Sequence, residues 1–210
     1  MCTTLQFHRS SDEPDQAGLI RDMMALDREL YVGATEADLG GTEYWAERFA
    51  RCPESLSLAR QPDGRLAGYY QFLPISEEYR SEVLAGRAHD GMIPLEAIVP
   101  YRRPPHPYHL YLCSMAVRPE WHRRGVASRL YREEVAFQRR LALNGHQPLS
   151  LLSVVWSPCG ARFFDRIGLP RVGYDECGRA IHAHALVGGQ LPLPRSETSA
   201  SPSHALAAAA

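Results

Sequence analysis

The stretch that most constrains this chain runs from Leu110 to Leu130: Leu-Tyr-Leu-Cys-Ser-Met-Ala-Val-Arg-Pro-Glu-Trp-His-Arg-Arg-Gly-Val-Ala-Ser-Arg-Leu. The segment His109–Val117 is mostly apolar, the pattern of a strand buried on both faces of a sheet. Pro119 sets a turn, and Arg123, Arg124 and Gly125 make a basic loop. Val126–Leu141 follows with Val126, Leu130, Phe137 and Leu141 in helical phase. A strand that feeds a helix through a short glycine loop leaves the first N–H groups of that helix unpaired and aimed at one spot. Gly125 and the small residues Ala127 and Ser128 let a ligand approach the backbone there, and the two arginines add positive charge. A diphosphate suits such a loop. The plainer alternative is a tight turn with solvated arginines.

The remaining elements follow from periodicity and turn chemistry. Strands are expected at Cys2–His8, Leu56–Ala59, Leu66–Leu73, Leu149–Trp156, Arg171–Asp175 and Ala180–Leu186. Pro62-Asp63-Gly64 turns the first hairpin, because Pro presets φ and Gly accepts a positive φ. Helices are expected over Asp15–Tyr31, where Leu19, Met23, Leu26 and Leu30 share a stripe, and over Thr42–Arg51, capped by Thr42. Ser76–Leu84 and Ala161–Ile167 read as shorter helices, the latter ended by Gly168. Gly86–Pro107 reads as a proline-rich loop. Residues 1–187 are expected to form one domain, and 188–210, rich in Pro, Ser and Ala, a disordered tail.

Composition narrows the chemistry. With 210 residues and a formal net charge of -1, the chain suits one domain with a sizeable core, and neither nucleic acid nor a membrane is an expected partner. Charge is unevenly placed: residues 1–60 hold 11 acidic residues against 6 arginines, and residues 101–140 hold 9 arginines against 3 glutamates. All 23 basic residues are Arg, which excludes a lysine nucleophile or Schiff base. Cys2, Cys52, Cys113, Cys159 and Cys177 show neither zinc spacing nor a disulfide framework. There is no signal-like N-terminus and no apolar run of about 18 residues, so a cytoplasmic location is expected. His182 and His184 alternate on a late strand, but a third ligand is missing and no metal is expected.

Val117-x-Pro119 followed by Arg123-Arg124-Gly125-Val126-Ala127 resembles motif A of the GNAT superfamily of N-acetyltransferases, with His122 where the family carries Arg or Gln. Leu149–Trp156 and the following Ser157–Leu169 are similar to the motif B strand and helix. The hairpin with Pro62-Asp63-Gly64 and Gly68-Tyr69-Tyr70 is similar to the second and third strands. The resemblance implies an α/β (α+β) fold: a mixed central sheet of about seven strands, its parallel central pair splayed, flanked by about four helices. It implies acetyl-CoA as cosubstrate, its pantetheine arm between His109–Val117 and Leu149–Trp156. A bulge is expected near Ser114–Met115. Met115, Ala116 and Val117 would hold the arm, and His122, Arg123, Arg124, Gly125, Val126, Ala127 and Ser128 the diphosphate. One strand N–H would polarise the thioester carbonyl.

The acceptor implied is an amine, on a small molecule or a protein, attacking directly in a ternary complex. The acidic segment 12–54, with Glu36, Asp38 and Glu43, favours a cationic acceptor; a homodimer is left open. The chain departs from the family at both proton-handling positions: Cys113 stands at the usual Glu, Phe164 at the usual Tyr. Tyr111, Cys113, Ser114, Glu78 and Glu96 remain as candidate bases. Ser157 either positions a water or caps a helix, and no basic partner that would activate Cys159 is apparent in the sequence. An active N-acetyltransferase is therefore the first reading, and a catalytically degenerate acyl-CoA-binding or sensory module the second. An unrelated nucleotide-binding protein would need a complete Gly-rich phosphate motif, which is missing.

Overall fold

In a computed structural model, residues 4–89, 91, 93–101 and 107–194 are described. The strands are β1 (Gln6–Arg9), β2 (Leu56–Arg60), β3 (Leu66–Ile75), β4 (Tyr108–Val117), β5 (Pro148–Val154), β6 (Arg171–Tyr174) and β7 (Ala180–Ala185). They form one sheet in the order β1-β2-β3-β4-β5-β7-β6. Only β4 and β5 run parallel; the other neighbours are antiparallel. The helices are α1 (Gln16–Leu30), the single turn α2 (Glu36–Leu39), α3 (Thr42–Arg51), α4 (Glu77–Leu84), α5 (Val126–Leu143) and α6 (Pro158–Ile167). The mixed seven-stranded fold is as expected, with five helices of eight residues or more among the described residues instead of about four.

Local chemistry accounts for the element ends. The Asp15 side chain caps α1 by accepting from the Gly18 N–H, and Ser76 caps α4 through the Tyr79 N–H. Thr42 is not a cap: Gly41 holds that position without a side-chain bond, and the Thr42 hydroxyl turns to Met24 Sδ. Gly168 ends α6 in the left-handed conformation, as its position foretells. The loop read at 86–107 is partly built into the core. Ile98 bridges Ile75, and Ile93, Ile98 and Tyr101 are buried. Asp90, Met92 and residues 102–106 lie outside the described residues. Of the segment assigned to the tail, residues 188–194 are described, with Leu191 buried against the main core; residues 195–210 lie outside the description.

Two apolar cores sandwich the sheet. On one face Leu19, Met23 and Leu26 of α1 and Trp45 and Phe49 of α3 pack on Leu58, Tyr69 and Ala116. On the other, Tyr70 and Tyr131 stand edge-on to Phe163 at 5.7 and 5.4 Å. Successive residues of β3 thus serve opposite faces, and the adjacent tyrosines differ in their polar ends. The Tyr69 hydroxyl donates to Asp27 at 2.5 Å; the buried Tyr70 hydroxyl has no hydrogen-bond partner among the described residues. Tyr69→Phe is expected to cost about 1–3 kcal/mol, because it deprives a buried carboxylate of a donor. Tyr70→Phe is expected to be neutral or stabilising. Urea denaturation of both variants checks the contrast, and equal losses would contradict it.

Candidate active site

The site lies where β4 leaves β5. Their ladder pairs His109 with Ser150, Leu110 with Leu151 and Tyr111 with Leu152, then stops. Beyond it β5 continues along β7, pairing Ser153 with His182 and Val154 with Ile181. The Ser153 hydroxyl donates to the Leu112 carbonyl at 2.8 Å, a last tie at the fork. On its other side β4 carries a bulge. Gln71 pairs with Ser114 and Phe72 with Leu112, so Cys113 is the extra residue. The bulge thus falls one residue before the expected Ser114–Met115. The reason is pairing with β3, which no local residue of β4 records.

After the bulge, β4 holds its position by close approach. A Cβ on Gly68 would lie 2.7 Å from the Ala116 carbonyl oxygen and 3.1 Å from Val117 Cα, so only glycine fits there. The Met115 carbonyl accepts from the Tyr31 hydroxyl at 3.2 Å. The Val117 carbonyl accepts from His122 Nε2 at 2.8 Å. Carbonyls two residues apart share one strand edge, and both take side-chain donors, so this edge faces the fork. Ala116, between them, is buried in the α1-side core.

The loop after Val117 is tied down before it opens. Arg118 is buried; its Nε donates to the Leu66 carbonyl at 2.8 Å and its Nη1 meets Glu29 at 2.6 Å. Pro119–Trp121 form a 3-10 turn with Trp121 buried, and the Arg124 guanidinium lies 5.3 Å from the Trp121 ring centre. His122 donates to the strand, so its ring fastens the loop. Arg123 has φ 59° and Gly125 φ 75°, both left-handed. For Arg123 that conformation costs about 1–2 kcal/mol. Alternation of this kind turns successive N–H groups to one side, making an anion nest. Gly125 is the N-cap of α5 and supplies no side chain to the free N–H groups of Val126, Ala127 and Ser128. A Cβ built on Gly125 would meet nothing within 4 Å, so the backbone opens on empty space. Arg123 and Arg124 are exposed beside it. The concavity, the helix N-terminus and the positive charge fit a diphosphate.

On the α1 side of the bulge is a cleft with about 460 Å³ of empty space, part of it open to solvent. Cys113 and Ser114 line it together, with Asp27 from α1 and Arg48 from α3. Asp27 is 3% and Arg48 1% exposed. Arg48 Nη2 approaches Cys113 Sγ at 3.6 Å, and its guanidinium lies over the Tyr44 and Trp45 rings. Tyr69 joins Asp27 to Ser114, its hydroxyl oxygen 3.0 Å from Ser114 Oγ. A tyrosine has one hydroxyl proton, and Tyr69 gives it to Asp27. Ser114 is therefore the donor to Tyr69, and the chain runs Ser114 to Tyr69 to Asp27. Burial, helped by the Asp27 charge, holds the Tyr69 hydroxyl well above the usual tyrosine range, so it stays protonated.

The other expected groups lie elsewhere. Ser157 caps α6, its oxygen accepting the Gly160 N–H at 3.1 Å, and it is not among the residues that line the cleft. Phe164 is buried against Phe163 and His182. Glu78 and Glu96 are exposed and Tyr111 is in the main core; none lines the cleft. Asp38 does line it, held below the usual carboxylate range chiefly by the Thr35 hydroxyl. Glu43 is exposed, and the Glu36 side chain is outside the description. Among the described residues no three His, Cys, Asp or Glu are grouped to hold a metal ion, and no helix is long and apolar enough to cross a membrane.

Asp27 and Arg48 were not singled out from the sequence, although a signal exists. Asp27 lies four residues after Met23 and three before Leu30, on the apolar stripe of α1. Arg48 lies three after Trp45 and four after Tyr44, on that of α3. Charged residues on an apolar helix face are rarely buried without purpose.

The model of the acetyltransferase (GNAT) family matches residues 21–147. No curated protein matches the sequence. Among solved structures, a GNAT family acetyltransferase from Brucella melitensis in complex with acetyl-CoA aligns over 92% of this chain and 94% of its own, with TM-score 0.51 and 16% identity. A protein of Pyrococcus horikoshii OT3 aligns over 88% and 99%, with TM-score 0.55 and 12% identity. Arabidopsis thaliana NAA60, in complex with a bisubstrate analogue, aligns over 88% and 99%, with TM-score 0.53 and 13% identity. At these identities the likeness is one of fold.

Proposed function

The chain belongs to the GNAT acetyltransferase family, and on that premise we propose that it transfers an acetyl group from acetyl-CoA to an amine held in the cleft beside Ser114. The observation that carries this reading is the fork between β4 and β5, flanked by the open Gly125 loop on one side and the Asp27 cleft on the other. The Brucella melitensis relative is a complex with acetyl-CoA, and the same cosubstrate is proposed here. The N–H groups of Arg124 to Ser128, with Arg123 and Arg124, take its diphosphate. The edge of β4 from Met115 to Val117 takes the pantetheine arm, and an N–H of that edge stabilises charge on the thioester oxygen. His122 keeps the loop in register by its bond to the Val117 carbonyl.

A charged ammonium cannot attack, so one proton must leave first. Ser114 accepts it as it passes its own to Tyr69, and Tyr69 passes a proton to Asp27. The neutral nitrogen then forms a bond to the acetyl carbon as the carbon–sulfur bond breaks. Phe164 supplies no acid, so the sulfur leaves as thiolate; the acetylated nitrogen sheds its second proton to water, and water returns one to the thiolate. Ser157 acts as a cap with no step of its own. Cys113 shapes the bulge. Among the described residues Cys52, Cys113, Cys159 and Cys177 form no disulfide, in accord with a cytoplasmic location, where thiols stay reduced.

Thiol release from acetyl-CoA across a panel of amines tests the reading. Release with at least one amine is expected; binding of CoA without release from any amine would favour the acyl-CoA-binding alternative. Ser114→Ala is expected to lower kcat at least about tenfold, because it cuts the path to Asp27. The KM for acetyl-CoA should not move, and an unchanged kcat would remove Ser114 from the path.

A further inference from the structure

The acceptor cleft carries opposite charges close together. Asp27 and Arg48 enter from different helices, and both are almost completely buried. Their contacts on β4 are consecutive: Tyr69 links Asp27 to Ser114, while Arg48 reaches Cys113. In a regular strand these two side chains would point to opposite faces. The bulge at Cys113 brings both into one cleft. The anionic and cationic groups are thus anchored to neighbouring residues of β4, Asp27 through Tyr69 and Arg48 directly. The rings of Tyr44 and Trp45 flank the guanidinium. A guanidinium offers paired donors that match a carboxylate, and burial strengthens the contact. Asp38 adds a second carboxylate to the lining, and Leu39, Trp45 and Trp156 give it apolar and aromatic surface.

We infer that the acceptor is a free α-amino acid with an apolar side chain. Its ammonium meets the Ser114–Asp27 end, its carboxylate meets Arg48, and its side chain lies against Trp45 and Trp156. The amine and carboxylate of an α-amino acid share one carbon, which suits two ends anchored on the neighbouring residues Cys113 and Ser114. A monoamine makes no use of Arg48, and a peptide N-terminus presents an amide where the carboxylate belongs. This inference rests on the acetyltransferase reading.

Initial rates of thiol release with leucine, leucinamide, 3-methylbutylamine and a leucine-led tripeptide test it on the wild-type protein. The expected result is a kcat/KM for leucine at least about 100-fold above each of the other three, the size of a lost charge-assisted contact. Arg48→Met should bring that preference to within a few-fold, with the KM for acetyl-CoA unchanged. If that variant does not fold, the wild-type ratios decide alone. Equal or better turnover of the amide, the monoamine or the tripeptide overturns the inference and leaves the acetyltransferase reading intact. No release from any amine overturns both.

Discussion

Asp27→Asn is expected to lower kcat by about 100- to 10,000-fold, the span that a positioned proton acceptor contributes. Asparagine keeps an oxygen for the Tyr69 hydroxyl, which donates to Asp27 at 2.5 Å, so the fold should survive. It cannot take the amine's proton at the end of the Ser114–Tyr69 path. Two further readouts separate this loss from a packing defect. The KM for acetyl-CoA should be unchanged, because the Gly125 loop lies on the other side of the fork. The variant's rate should also climb with pH towards the acceptor's own pKa, since only amine already neutral in solution can react. A variant with wild-type kcat and a wild-type pH profile would show that the proton leaves by another route.

Gly125→Val is expected to raise the KM for acetyl-CoA at least about 100-fold, through two lost charge-assisted hydrogen bonds of about 1.5–3 kcal/mol each. The new side chain has room, since nothing lies within 4 Å of a Cβ there. It would fill the space above the N–H groups of α5 that the diphosphate needs. The backbone at φ 75° is left-handed, so the fold should also lose about 1–2 kcal/mol, or roughly 2–8 °C in Tm. Scanning calorimetry measures that second quantity apart from binding. A KM within a few-fold of wild type would put the diphosphate elsewhere.

The frame of this protein is legible in its sequence because its signals are local. The apolar run at His109–Val117 and the Leu- and Val-rich run at Leu149–Trp156 mark the central pair. Pro62-Asp63-Gly64 marks a hairpin, and the glycine at 125 marks the loop. The Ser157 cap and the Gly168 stop were open to the same reading. What sequence reasoning missed depends on long-range pairing. The bulge at Cys113 is set by the register of β4 on β3. The loop at 86–107 enters the core because Ile98 finds Ile75, a partner 23 residues away. The acceptor cleft combines residues of α1, α2 and α3 with two from β4, and no spacing within any one element reveals it. Asp27 and Arg48 were still visible as charges on apolar stripes. The family resemblance marks neither of them, because its base position lies on the strand, where Cys113 replaces the carboxylate.

Calorimetric titration of acetyl-CoA into the wild-type protein tests the central claim most directly. One site per chain is expected, with a Kd in the range of about 1 μM to 1 mM typical of enzyme substrates. Absence of any binding heat, with CoA also failing to raise the melting temperature, would contradict it.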